Sequence, residues 1–322
     1  MNVLTILFNI FIFPGFLFAV VIGLLLAGID RKVIARMQKR VGPPIRQPLF
    51  DFLKLCGKET IIPDAANRVA YIGAPIVGFI ALIAAALFIP VGGYVGLSTN
   101  ADLIIILYLL TIPAVCLIVG GAASGNPFAG VGLSREMVVM MSYELPFVII
   151  LLAVAKKVGG SALCLSMSGI AEWQAANGCS VFHWALIPAA LAMLLVIPAE
   201  VGTCPFDVAE AETEICEGPL VEYSGKPLGM FKLNTAVKMC IMTTLFTFLF
   251  FGGINVGIPI YALNVIVNAI IVVAIDIVVT IICITLVNAV CARLKVEQLF
   301  KFYWTIVTGL ALISLILVWI GL

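Results

Sequence analysis

The chain has 322 residues, 63% of them hydrophobic and 11% charged, with a formal net charge of +1 and nine cysteines; its mean hydropathy is +1.22. No soluble core of this size holds so much apolar surface, so the sequence is that of an all-α polytopic membrane protein, with membrane lipid as its first partner. The net charge says nothing about nucleic acid, and with no basic tail or interleaved basic and aromatic residues no nucleic-acid partner is expected, while nine cysteines without a C-x-x-C pair argue against an iron–sulfur or zinc site within the chain.

Eight apolar segments are long enough to span, near 3–27, 71–89, 102–121, 138–155, 185–200, 233–252, 262–287 and 302–321. The first lacks the basic leader and small-residue cleavage site of a secretory signal and reads as a retained helix. Fifteen lysines and arginines fall in the odd-numbered loops, 28–70, 122–137, 201–232 and 288–301, while the even-numbered loops hold only Lys156 and Lys157. By the positive-inside rule the odd loops are cytoplasmic and both termini extracytoplasmic. Lys238, just inside the sixth span, is expected to snorkel to the cytoplasmic surface. The loop at 156–184 is then extracytoplasmic, where Cys164 and Cys179 are candidates for a disulfide and His183 beside Trp184 reads as an interfacial residue.

The first loop is patterned. Leu49, Phe52, Leu53 and Cys56 fall at i, i+3, i+4 and i+7 with Asp51, Lys54 and Lys58 on another face, which predicts an amphipathic helix at the membrane surface or against another subunit. Ahead of it Arg40-Val41-Gly42-Pro43-Pro44 fixes an extended turn. The third loop is acidic. Between Pro198 and Gly225 the chain gathers Glu200, Asp207, Glu210, Glu212, Glu214, Glu217 and Glu222, seven of its 17 acids. If Val208 to Glu217 is helical, positions 207, 210, 214 and 217 share one face, and like charges at that spacing call for a cation, a proton or a basic partner. An ordinary solvated turn fits the same residues. The first loop has nine basic and four acidic residues, the third two basic and six acidic, so the two are expected to pack together and to form the docking surface of a soluble subunit.

Three acids lie in or at the edge of the spans: Asp276 mid-way along the seventh, Glu144 in the run Ser142-Tyr143-Glu144-Leu145-Pro146, and Glu200 at the end of the fifth. A carboxylate at the bilayer centre costs about 2.5–3.5 kcal/mol, so such groups face protein or water and often carry protons or ions. A protonated acid bonded to a neighbouring helix is the structural alternative. Glu144 and the Glu210 and Glu214 face are expected on one polar path, with Asp276 a deeper member.

GIDRK at 28–32, ARMQKRVGPPIRQPLFDFLKLCGKE at 35–59, SYELP at 142–146 and CPFDVAEAETEICEGPLVEYSG at 204–225 resemble, in order along most of the chain, the NADH dehydrogenase subunit 1 family of respiratory complex I, whose bacterial members are its H-type membrane subunits. The resemblance implies a membrane anchor without a redox centre, joining a peripheral electron-transfer arm to antiporter-like membrane subunits in the cell's plasma membrane. It implies a coupling role for Glu144, Glu200, Asp207, Glu210, Glu212, Glu214 and Glu217, and a docking role for Arg31, Arg36 and Arg40; Arg46 of the same basic loop is a further docking candidate. The first loop is shorter than the G-P-N-R-V-G-P-x-G-x-L-Q-P type of run in quinone-reducing members, and GPLVEYSG resembles the energy-converting membrane-bound hydrogenase branch. In that branch ferredoxin feeds a peripheral [NiFe] centre through iron–sulfur clusters, both held by partner subunits, while protons or sodium ions move. The alternatives are the quinone-site subunit of a complex I-type dehydrogenase of NADH or a reduced deazaflavin, and a free-standing transporter, which the lack of a duplicated broken-helix pattern disfavours.

Overall fold

The computed structural model describes residues 3–160, 162–252, 257 and 259–321, with backbone alone at 3, 212 and 213. Among these lie eight helices long and apolar enough to cross a bilayer and one isolated bridge, Val91 with Tyr94. Helices α1, Val3–Phe11, and α2, Phe16–Met37, form the first span, and α3, Gln47–Gly57, lies beyond it. Then come α4, Arg68–Phe88, α5, Asp102–Ala123, and α6, Pro127–Gly159. The short α7, Met167–Asn177, precedes α8, Ile187–Val201, and the single turn α9, Glu212–Ile215, interrupts the acidic stretch. Helix α10, Gly225–Phe251, leads to α11, Tyr261–Val290, and α12, Val296–Ile320. The last two each contain a π-helical turn, at Ile281–Thr285 and Tyr303–Val307.

Helix α10 is buried along nearly all its length and packs on α2, α3, α4, α8 and α11. Lipid supplies no hydrophobic drive between helices, so close approach depends on small residues. At Gly23 of α2 an added Cβ would stand 2.6 Å from the Ala236 carbonyl oxygen of α10. Pro75 inside α4 leaves the Tyr71 carbonyl without its helical donor, and the Tyr223 hydroxyl donates to it at 3.2 Å.

The amphipathic helix forms where the pattern places it, as α3. The fourth span begins earlier than expected. Asn126 caps it, its Oδ1 accepting from the Phe128 N–H at 2.8 Å with Pro127 in the first turn, so residues 127–137 are helix rather than loop. Likewise α2 runs on to Met37, ten residues beyond the apolar segment. The expected helix over 208–217 does not form: Ala211 is extended and Cys216 and Glu217 are left-handed, with φ of 51° and 68°, so 207, 210, 214 and 217 share no helical face. Cys164 and Cys179 are both free thiols, facing the Ser166 and Phe251 carbonyls respectively, and the expected disulfide is absent. Trp184 is 83% exposed, as an interfacial position allows.

The first and third loops do pack together, though through neutral groups. Ser224 Oγ accepts from Ile61 N–H at 3.0 Å, the Tyr71 hydroxyl donates to the Glu222 carbonyl at 2.6 Å, and the Tyr71 and Tyr223 rings stack at 4.1 Å.

Gly23→Ala is expected to lower thermal stability in detergent by about 1–3 kcal/mol, because the methyl meets backbone that cannot yield. Gly309→Ala, where nothing lies within 4 Å of the new carbon, is the control. Equal melting shifts for the two would show that α2 and α10 are free to part.

Candidate functional site

Glu200 ends α8 as a buried carboxylate, 4% exposed, and Lys238 of α10, 7% exposed, brings its Nζ to 2.8 Å from Oε1. Lys238 therefore does not snorkel. An unpaired carboxylate at this depth costs more than the lysine gains at the surface, so the two hold each other inside. The contact lies outside hydrogen-bonding angles, and Oε1 accepts no hydrogen bond among the described residues. From α6 the fully buried Tyr143 lies in the electrostatic field of Glu200. Its neighbour Glu144 is partly buried and lies in the electrostatic field of Glu200. Two turns earlier on the Tyr143 face, Glu136 feels both Lys238 and Glu200.

A cavity of about 100 Å³ joins Glu136, Glu200 and Lys238 to Asp207, Glu210 and Lys232. Beyond Glu200, Glu210 and Asp207 are the carboxyls that the acidic stretch contributes to it. Burial, then the charges of Glu136, Asp207 and Glu217, push the Glu210 carboxyl up to about 7 against the pull of Lys232. Scarce water and the neighbouring carboxylates both disfavour the charged form of Glu210.

The acids that sequence grouped on one helix each find a separate place. Arg293 grips Asp207, with Nε 3.0 Å from Oδ1 and Nη2 2.7 Å from Oδ2, and the Leu294 N–H donates to the Pro205 carbonyl at 3.2 Å. Arg135 of α6 reaches Glu214 at 2.6 Å. Glu217 is partly buried, and the side chain of Glu212 lies outside the described residues. The acidic stretch is thus tied to the fourth loop and α6, and its ion pairs to Arg293 and Arg135 involve none of the first-loop arginines. Those remain at the surface: Arg31, Arg36, Arg40 and Arg46 are exposed. Arg31 donates to Asp51 at 2.9 Å and Arg40 to Gln38. Partial desolvation works to raise the Asp51 carboxyl, but hydrogen bonds from Gln47 and Arg31 and the positive charge of Arg31 outweigh it and hold it low.

Asp276 does not join the cluster. It faces another side of α10, accepting from Thr244 Oγ1 at 2.7 Å and Thr247 Oγ1 at 2.6 Å, and Lys238 and Thr244 are six residues, about 9 Å of helix rise, apart. Glu136 is the member that sequence reasoning missed. Its signal is the seven-residue spacing to Tyr143, hidden because 122–137 reads as a loop.

Residues 9–319 match the family described as NADH dehydrogenase. The H-type membrane subunit of the NADH-quinone oxidoreductase of Bordetella pertussis is 35% identical over 250 residues, 73% of this chain and 69% of that one. The chain belongs to the NADH dehydrogenase subunit 1 family. Another relative is formate hydrogenlyase subunit 4 of Escherichia coli, 36% identical over 233 residues, 70% of this chain and 72% of the relative. A chain in the structure of the membrane-bound sulfane sulfur reductase, an archaeal respiratory membrane complex, superposes with a TM-score of 0.87 at 34% identity, covering 98% of both chains. This NADH dehydrogenase subunit 1 homologue is accordingly a multi-pass membrane subunit of a complex I-like respiratory complex, with other subunits as its partners.

Lys238→Met leaves Glu200 buried without a counter-charge and is expected to destabilise the protein by about 3–5 kcal/mol, most of it recovered in Glu200→Gln/Lys238→Met. A double variant melting no higher than the single one would remove charge burial as the cause.

The raised Glu210 carboxyl makes the folded state bind its proton more tightly than the unfolded chain does. Its contribution to stability is full below pH 4.5 and lost as pH rises towards about 7. Melting curves across that window should show the decline in the native protein and a flatter profile in Glu210→Gln; parallel profiles would place Glu210 in water.

Proposed function

We propose that this subunit is the membrane anchor and coupling subunit of a ferredoxin-linked, energy-converting [NiFe] hydrogenase in the plasma membrane. Its acidic face turns to the cytoplasm and its termini turn outward. The peripheral hydrogenase and iron–sulfur subunits dock on Arg31, Arg36, Arg40 and Arg46 and hold all redox centres, and antiporter-like subunits lie alongside in the membrane. Electron transfer in the arm changes the field at Glu210, and protons redistribute among Glu210, Glu136, Glu200 and Glu144, with Lys238 as the fixed counter-charge.

The observation that carries the reading is the cavity itself. It is lined by Glu136, Glu200, Asp207, Glu210, Lys232 and Lys238 and measures about 100 Å³, against the roughly 300–1,000 Å³ usual for organic ligands. It suits protons and water and disfavours the alternative of a quinone site within this chain. The match to a formate hydrogenlyase subunit supports the hydrogenase branch. The full-length likeness to the sulfane sulfur reductase chain supports a second reading, the same anchor in a complex that delivers electrons to sulfur.

The complex purified through this subunit should contain nickel and evolve hydrogen from reduced ferredoxin. A nickel-free complex that reduces sulfane sulfur would establish the second reading, and quinone reduction would overturn both. In sealed vesicles Glu144→Gln should keep electron transfer while lowering the ion-to-electron ratio; an unchanged ratio would remove Glu144 from the path. Charge reversal at Arg36 and Arg40 should release the arm at lower salt than in the native complex, and unaltered retention would place docking elsewhere.

A further inference from the structure

On the face opposite Asp207 and Glu210, a second cavity of about 350 Å³ opens between the end of α10, the start of α11 and the turn at Gly92. Its α11 wall is a stripe. Tyr261, Asn264, Asn268 and Val272 all line it, at spacings of three, four and four that keep them on one helical face. The next residue in that register is Asp276, one turn and about 6 Å further in. The opposite wall includes Thr247, whose hydroxyl donates to Asp276 Oδ1 at 2.6 Å. The 1%-exposed carboxylate thus stands one hydroxyl behind the floor of the cavity.

The stripe continues inward. The Thr280 hydroxyl donates to the Asp276 carbonyl at 2.8 Å. The π-helical turn at Ile281–Thr285 then keeps Thr285, five residues on, at the same side, with its Oγ1 3.4 Å from the Thr280 carbonyl and 2.7 Å from Oδ1 of the buried Asp30 of α2. A straight α-helix would have turned Thr285 away.

The hydroxyl chemistry at Asp276 is that of a carboxyl able to take up a cation. Thr244 Oγ1 lies 2.8 Å from the Cys240 carbonyl and 2.7 Å from Asp276 Oδ2, yet carries one hydrogen. With a proton on Oδ2, that proton is donated to Thr244 and Thr244 donates to Cys240, while Thr247 donates to Oδ1, so every group is served. With a sodium ion, the carboxylate and hydroxyl oxygens offer the hard donors such an ion takes. The titratable neighbour facing Asp276 is the Cys240 thiol; the cluster around Glu200 faces elsewhere.

The geometry points to a monovalent-cation pathway along α11, separate from the Glu136–Glu200–Glu210 cluster, in which the outer cavity is the vestibule, Asp276 the central site and Asp30 the inner terminus. It rests on the coupling reading only for the use the complex makes of the pathway, and its test reads accessibility without turnover, so failure of either leaves the other standing. In vesicles holding the whole complex in known orientation, a membrane-impermeant cationic methanethiosulfonate is applied to each face in turn. Modification of Val272→Cys and of Val279→Cys, on the buried far side of Asp276, is quantified by peptide mass. Val272→Cys should be modified only from the face away from the peripheral arm, with loss of modification at Val279→Cys. Protection of Val272→Cys from both faces, or modification from the arm side, overturns the vestibule. On the native complex, dicyclohexylcarbodiimide should attach to Asp276, with Asp276→Asn as the blank. Loss of labelling on adding sodium at constant pH identifies a sodium site, and loss only as pH rises identifies a proton site. No attachment at any pH overturns Asp276 as a cation site.

Discussion

A lysine and a glutamate sealed between helices govern this structure. Glu200 and Lys238 are each less than a tenth exposed and 2.8 Å apart, and neither could stay so deep alone. Their pairing fixes α8 against α10, and α10 is the helix on which α2, α3, α4, α8 and α11 assemble. Because the pair is neutral as a whole, the further acids Glu136, Glu144 and Glu210 stand near it without adding to an uncompensated buried charge.

The irregular backbone follows from the same need. The acidic stretch makes a single helical turn and then bends through left-handed Cys216 and Glu217, which lets Asp207 reach Arg293 and Glu214 reach Arg135 in different directions. A regular helix would have aligned those charges and left them to repel. The turn at 218–220 wedges against Gly132 of α6, where a Cβ would meet the Pro219 ring at 2.6 Å. The mouth of the polar cavity is therefore built from loop, and its position depends on helices α5 and α6 rather than on the loop's own propensities.

Two polar systems share α10 without touching through it. Lys238 serves the acid cluster on one side, and Cys240, Thr244 and Thr247 serve Asp276 on another. The helix between them is buried, and no side-chain hydrogen bond among the described residues links Lys238 to the Thr244 and Thr247 pair.

Composition alone determined the membrane-spanning helical class, and hydropathy the eight crossings, since both depend on residue totals over windows of about 20. The period of Leu49, Phe52, Leu53 and Cys56 determined α3, because a local repeat has only one way to bury its face. The ordered motifs from Gly28 to Gly225 determined the family. Tertiary structure decided what depends on a partner far along the chain. Lys238 looks like a snorkelling residue until Glu200, 38 positions away, is seen beside it. Glu136 reads as loop until the Asn126 cap extends α6 through it. Asp276 seemed one series with Glu144 because sequence orders acids by depth, whereas helix azimuth, which only packing sets, turns it towards Thr244 and Thr247.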